Sequence, residues 1–182
     1  MAHWLNERIE SFGKRPFLSL KGENYSYTDL SHATAKAKAQ FEKVGIKAGH
    51  ITVLQGDYSL KAIASLMALF ELKAIVAPIS IDAENEREKR IEASNAQWEV
   101  NTEKGSNLSI LALHPTSETH TFVDSLKKDS EAGLILFSSG STGEPKAMVH
   151  NLENLINSYD GKRIKKTNIL IFLMFDHIGG LN

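Results

Sequence analysis

The residues best suited to chemistry lie together between Leu134 and Lys146. Leu134 to Phe137 have the character of a buried strand and run straight into Ser138, Ser139, Gly140, Ser141, Thr142, Gly143, Glu144, Pro145 and Lys146. Gly140 and Gly143 permit backbone conformations closed to other residues, so successive N–H groups can converge on the oxygens of an anion. Ser138, Ser139, Ser141 and Thr142 add hydroxyl donors, and Lys146 adds a point charge on a flexible stem. A polyphosphate is the ligand that such a loop suits. The loop is not a Walker A motif, whose Gly-Lys-Ser/Thr opens a helix. Here Lys146 follows Pro145 and precedes Ala147, and the proline prevents a smooth entry into a helix.

Elsewhere the titratable residues form no comparable cluster. His3, His32, His50, His114 and His120 lack metal-ligand spacing and read as surface residues, and no metal site is expected among the residues of this chain. His150 reads as the end of the strand that follows the loop. The Glu/Arg/Lys-rich stretch from Glu84 to Glu92 reads as a solvated helix, its charges belonging to the surface rather than to a binding site.

The elements that must hold the loop can be placed from apolar periodicity. Phe17 to Leu20 and Tyr25 to Tyr27 flank Lys21, Gly22, Glu23 and Asn24, which predicts a hairpin. Thr28 is placed as the N-cap of an amphipathic helix carrying Leu30, Ala33, Ala37, Phe41 and Val44 and ending at Gly45. Strands are expected at Ile51 to Leu54, Ala74 to Ile79, Ser109 to Leu113, Leu134 to Phe137 and Ile169 to Phe175, with helices at Leu60 to Leu72, Thr121 to Lys128 and Leu152 to Tyr159. This alternation predicts an α/β fold, a layered α/β/α arrangement with a largely parallel sheet. Loops are expected at Asn101 to Asn107 and His114 to Thr119, where Gly, Ser, Thr, Asn and Pro gather.

A length of 182 residues, 42% hydrophobic and 24% charged, fits one ordinary globular domain. With no cysteine, a disulfide framework and a cysteine nucleophile are excluded. Lys and Arg number 21 against 22 Asp and Glu, so the net charge of -1 leaves no electrostatic footprint for nucleic acid. No export signal opens the chain, and no apolar run approaches the ~20 residues of a membrane span. A cytoplasmic location is the default expectation.

The loop closely resembles the signature loop of the adenylate-forming (AMP-binding) superfamily, which includes acyl-CoA synthetases, nonribosomal peptide adenylation domains and firefly luciferase. The family pattern is aromatic, Thr/Ser, Ser, Gly, Thr/Ser, Thr, Gly, any residue, Pro, Lys, Gly, and Phe137 to Lys146 match it position by position. Ala147 departs, standing where Gly is usual. Further likenesses run through Tyr25 to Leu30, through Gly45 to Gly49 with His50 in place of the usual Asp, and through Leu72 to Pro78 with Lys73 where Gly is common. Phe175, Asp176, His177, Ile178, Gly179, Gly180 and Leu181 are similar to the next family motif, which borders the acyl site.

The resemblance implies the N-terminal portion of an adenylate-forming domain over residues 1–182, and an ATP-dependent ligase of the acyl-CoA synthetase type. A carboxylate would attack the ATP α-phosphate to give acyl-AMP and pyrophosphate, and CoA or a phosphopantetheine thiol on a carrier protein would take the acyl group. The β- and γ-phosphates would be held by Ser138, Ser139, Gly140, Ser141, Thr142, Gly143 and Lys146. His177 would contact the substrate carboxylate or the adenylate, gate the acyl tunnel, or serve structurally at a strand-to-helix turn. Mg²⁺ is expected to assist through ligands mostly outside this chain. Adenine recognition, the Mg²⁺-binding Glu, the ribose-binding Asp and the mobile domain's lysine lie downstream in the family, so residues 1–182 are expected to be a truncated piece that is inactive alone, with a homodimer formed through Ile169 to Phe175. The acid, fatty or aryl, stays open. Two alternatives accompany this reading: an amino-acid-activating adenylation domain, in which an Asp of the acyl site grips the substrate ammonium, and a non-catalytic nucleotide-binding module.

Overall fold

The computed structural model describes residues 3–105, 107–115, 120–139, 144–163 and 167–181. Helix α1 (His3–Phe12) leads into the expected antiparallel hairpin, β1 (Pro16–Leu20) with β2 (Glu23–Ser26). Lys21 and Gly22 form its turn at φ 51° and 84°, the backbone hand that matches the twist of a two-residue hairpin.

Helix α2 (Tyr27–Val44) starts earlier than Thr28 suggests. Its N-cap is Ser26, whose hydroxyl accepts from Asp29 N at 3.2 Å while the Asp29 carboxylate accepts from Ser26 N at 2.7 Å. Such a reciprocal capping box needs an acidic or amide side chain three residues after the cap. Asp29 supplies it for Ser26, whereas Ser31 stands in that place for Thr28. Leu30, Ala37 and Phe41 are buried as the periodicity predicts, and Gly45 ends the helix at φ 95°.

Six strands make the main sheet: β3 (Ile51–Gln55), β4 (Ile75–Ile79), β5 (Trp98–Asn101), β6 (Ser109–Ala112), β7 (Gly133–Ser139) and β8 (Pro145–Asn151), in the order β6-β5-β3-β4-β7-β8. The four central strands run parallel, and β6 and β8 pair antiparallel at the two edges. The sequence concealed β5, whereas β8 is the strand expected after the loop, ending near His150. The first is four residues long with Glu99 inside it, and the second begins at Pro145, a residue tolerated at the start of an edge strand.

Helices α2, α3 (Leu60–Glu71) and α6 (Leu152–Asn157) cover one face, where Phe41, Leu54, Leu69, Phe70, Val76, Leu134 and Leu136 make the larger core. Helices α4 (Arg87–Ser94) and α5 (Thr121–Asp129) cover the other over Val53, Ile75, Ile79, Val123, Leu126 and Ile135. The fold is therefore the expected α/β/α layering.

Two expectations need correction. The charged stretch from Glu84 to Glu92 is not a single solvated helix: a 3-10 turn, Ile81–Glu86, precedes α4, and Arg87 and Arg90 point inward to buried acids. Ile169 to Phe175 is not a strand. A strand needs a neighbour to take its N–H and C=O groups, and none lies alongside among the described residues. Ile169, Leu170 and Phe172 are 79%, 85% and 82% exposed.

Candidate functional site

Strands β7 and β8 form a hairpin in which Ser138 pairs with Lys146 and Ser139 with Pro145. Directly opposed residues of an antiparallel pair share a face, with Cβ atoms about 5 Å apart. The Ser138 hydroxyl and the exposed Lys146 ammonium are thereby presented together at the mouth of the loop. Hydroxyl and ammonium donors on one face are a set that fits phosphate oxygens. Gly140, Ser141, Thr142 and Gly143 lie outside the described residues. Beyond the loop, Glu144 accepts from Lys89 of α4 at 3.0 Å.

Because β3, β4, β5 and β7 are parallel, their carboxyl ends share one edge of the sheet, the place where open α/β sheets bind ligands. The segment containing His177 crosses that edge. Phe175 is buried with its ring edge-on to Tyr58 at 5.3 Å. Asp176 is buried too, and its Oδ2 accepts from Ser80 Oγ at 3.1 Å, from Ser80 N at 3.3 Å and from Arg90 at 2.7 Å. Ser80 directly follows β4. Arg90 also lies over the Phe137 ring at 5.3 Å, immediately before Ser138. The two motifs singled out in the sequence thus meet at one edge, bridged by Arg90.

His177 itself is exposed. Its backbone N–H donates to Met174 O at 3.2 Å, its carbonyl accepts from Leu181 N at 3.2 Å, and its side chain makes no hydrogen bond among the described residues. The imidazole is available to a ligand. Tyr58, packed against Phe175, is pushed up by burial, then by the charges of Asp57 and Asp176, so its phenol stays protonated.

A second polar cluster backs the same edge. Arg87 donates to Glu99 at 3.0 Å and to Gln55 at 3.2 Å, and Asn101 donates to Gln55 at 2.7 Å. The sequence reading missed Arg87, Arg90 and Ser80. A signal did exist: Arg87, Arg90, Ile91 and Ser94 recur at the spacing of one helix face. His50 also departs from expectation, being half-buried beside Trp98 rather than a surface residue. His150 lies in β8 opposite Leu134, one residue before the strand ends. Among the described residues no three His, Asp or Glu side chains gather as a metal ion would require, and no helix is long and apolar enough to cross a membrane.

Residues 5–182 match the family model described as AMP-binding enzyme. The chain belongs to the AMP-binding enzyme family. Membership in the AMP-binding family implies ATP as the nucleotide, and the match takes in both the β7–β8 hairpin and the His177 segment. Curated relatives include cyclo-acetoacetyl-L-tryptophan synthase of Aspergillus oryzae, 25% identical over 169 residues, covering 86% of this chain and 4% of that protein. Another is 2-succinylbenzoate–CoA ligase of Listeria monocytogenes, 21% identical over 161 residues, covering 85% of this chain and 34% of that one. This AMP-binding chain therefore spans about a third or less of the curated relatives it matches. Among solved structures, o-succinylbenzoate CoA synthetase of Bacillus subtilis superposes with a TM-score of 0.72 at 18% identity, over 100% of this chain and 41% of that one. That likeness shows the fold of the adenylate-forming N-terminal domain.

Proposed function

We propose that this chain supplies the polyphosphate-binding part of a ligase that activates a carboxylic acid as its acyl-adenylate and passes the acyl group to CoA or to a carrier-protein thiol. The observation that carries the reading is Ser138 opposite Lys146 across the β7–β8 hairpin. When a carboxylate oxygen attacks the ATP α-phosphorus, the bond to the β-phosphate bridging oxygen breaks and pyrophosphate leaves with added negative charge. Donors already aimed at that charge lower the barrier, because they need no reorganisation as it develops. Lys146 and Ser138 take that role, with Ser139, Gly140, Ser141, Thr142 and Gly143 completing the loop. Mg²⁺ would neutralise further phosphate charge, and His177 would face the acid and its adenylate.

An amino-acid substrate is the rival reading, and Asp176 is the carboxylate it would enlist. Asp176 is already paired with Arg90 and hydrogen-bonded by Ser80. A carboxylate neutralised by an adjacent guanidinium has little attraction left for a second cation, which favours an acid without an ammonium group. Exchange of labelled pyrophosphate into ATP, run on the full-length ligase that carries this chain with a panel of carboxylic and amino acids, tests the choice. Exchange that depends on aryl or aliphatic acids is expected; exchange that responds only to amino acids would reverse it.

A further inference from the structure

We propose that Arg90 is a positioning residue that locks the Asp176–Ile178 segment to the strand end at Phe137–Ser139, so that the acyl side and the phosphate side of the site keep one geometry. This rests on the function proposed above only for its meaning in catalysis; the mechanical link is a property of the fold.

Arg90 spends each part of its guanidinium on a different element. Nη1 donates to Asp176 Oδ2 at 2.7 Å, Nε and Nη2 donate to Glu86 Oε2 at 3.1 and 2.9 Å, and the planar carbon lies 5.3 Å from the centre of the Phe137 ring. The Arg90 and Asp176 side chains are 16% and 3% exposed, so water competes little for their bond. Glu86, one turn before Arg90 on the same side, holds the fork in register and is 53% exposed. Asp176 in turn is fixed to the end of β4 by both the N–H and the hydroxyl of Ser80. Its other oxygen, Oδ1, is buried without a hydrogen-bond partner among the described residues. The carboxylate is thus aimed wholly through Oδ2, and Arg90 is the only cation within bonding distance of it among those residues.

The chain of contacts has a consequence for the two ends. Among the described residues no strand lies alongside the segment before Asp176 to fix it, and Ile169 to Leu173 are exposed, so the position of His177 depends on Asp176 and Phe175. The Phe137 ring is the last side chain before the loop hydroxyls. A planar cation stacked on that ring and bonded to Asp176 joins the two across 39 residues of sequence, from Phe137 to Asp176. Lysine could keep the charge but neither the fork nor the planar stacking.

Hydrogen exchange on the 182-residue chain tests the link. Arg90→Lys is expected to speed amide exchange about tenfold at both Ser138–Ser139 and His177–Leu181, the loss of one charge-assisted hydrogen bond, while α2 and β3 stay protected. Should Arg90→Lys fail to fold, Glu86→Gln, which strands no buried charge, is expected to give the same paired loosening to a smaller degree. Faster exchange at only one of the two segments, or at neither, overturns the proposal. In the pyrophosphate-exchange assay the same variants are expected to lower kcat together with kcat/KM for both ATP and the acid, and a defect confined to either substrate would count against the coupling. Absence of acid-dependent exchange in the unmodified full-length ligase would refute the proposed function and leave the hydrogen-exchange result on the 182-residue chain to decide the coupling.

Discussion

Arg90 and Asp176 meet at 2.7 Å across 86 residues of sequence, and their two ends of the bond are unequally supported. Arg90 keeps Glu86 as a second, half-exposed acid, whereas among the described residues Asp176 has only the two donors of Ser80 besides the arginine. Losing the cation should therefore cost more than losing the anion. Arg90→Met leaves a buried carboxylate without a counter-charge and is expected to cost about 3 kcal/mol. Asp176→Asn keeps a side chain that can accept from Ser80 and leaves Arg90 with Glu86, for a cost of roughly 1 kcal/mol. Denaturant melts of the two variants check the order; equal costs would show that the pair is not desolvated as described.

Lys73 sits at φ 58°, in the left-handed region, between α3 and β4. The family preference for glycine at this position has its cause there, since a side chain in that conformation costs about 1 kcal/mol. Lys73 recovers part of the cost by pairing with Glu153 of α6. Lys73→Ala loses the pair and keeps the strain, while Lys73→Gly loses the pair and relieves it. The glycine variant is expected to be more stable than the alanine variant by about 1 kcal/mol, measured by thermal or denaturant unfolding. An alanine variant equal to glycine would place the residue elsewhere in φ.

His50 is held below its usual imidazole value, first by burial and then by the charges of Lys47 and Lys127. Its Nδ1 accepts from the Trp98 indole N–H at 3.0 Å, which requires that nitrogen to be unprotonated. The unfolded chain takes up the proton first as pH falls, so this contribution is intact above about pH 6.5. It declines as pH drops below that value and levels off once the folded imidazole is also protonated. Denaturant midpoints at pH 7.5 and 5.5 should differ in that direction, and His50→Gln should shrink the difference. A midpoint that rises on acidification would contradict the assignment.

The layered architecture was legible because α2 and α3 carry long apolar stripes and β3, β4 and β7 are continuous apolar runs, patterns that backbone geometry turns directly into faces. The phosphate loop was legible because glycines, hydroxyls and one lysine are compressed into ten residues. What stayed hidden depends on contacts distant in sequence. Thr28 has the side chain of a cap, yet the bond that Ser26 N donates to the Asp29 carboxylate sets the cap at Ser26. Arg90 looked like a surface charge because its acid, Asp176, lies in another motif, and only the fold brings the two together. Ile169 to Phe175 has the composition of a strand, yet composition cannot supply the neighbouring strand that would make it one.

The proposed function requires the β7–β8 hairpin to grip the polyphosphate of ATP. Calorimetric titration of the full-length ligase that carries this chain with ATP, and with AMP as the comparison, measures it when repeated on Lys146→Ala. This variant is expected to lose about tenfold in ATP affinity, the worth of one charge-assisted contact, while AMP, which lacks the β- and γ-phosphates, binds both proteins alike. ATP affinity unchanged by the substitution, or AMP affinity lost in equal measure, would contradict it.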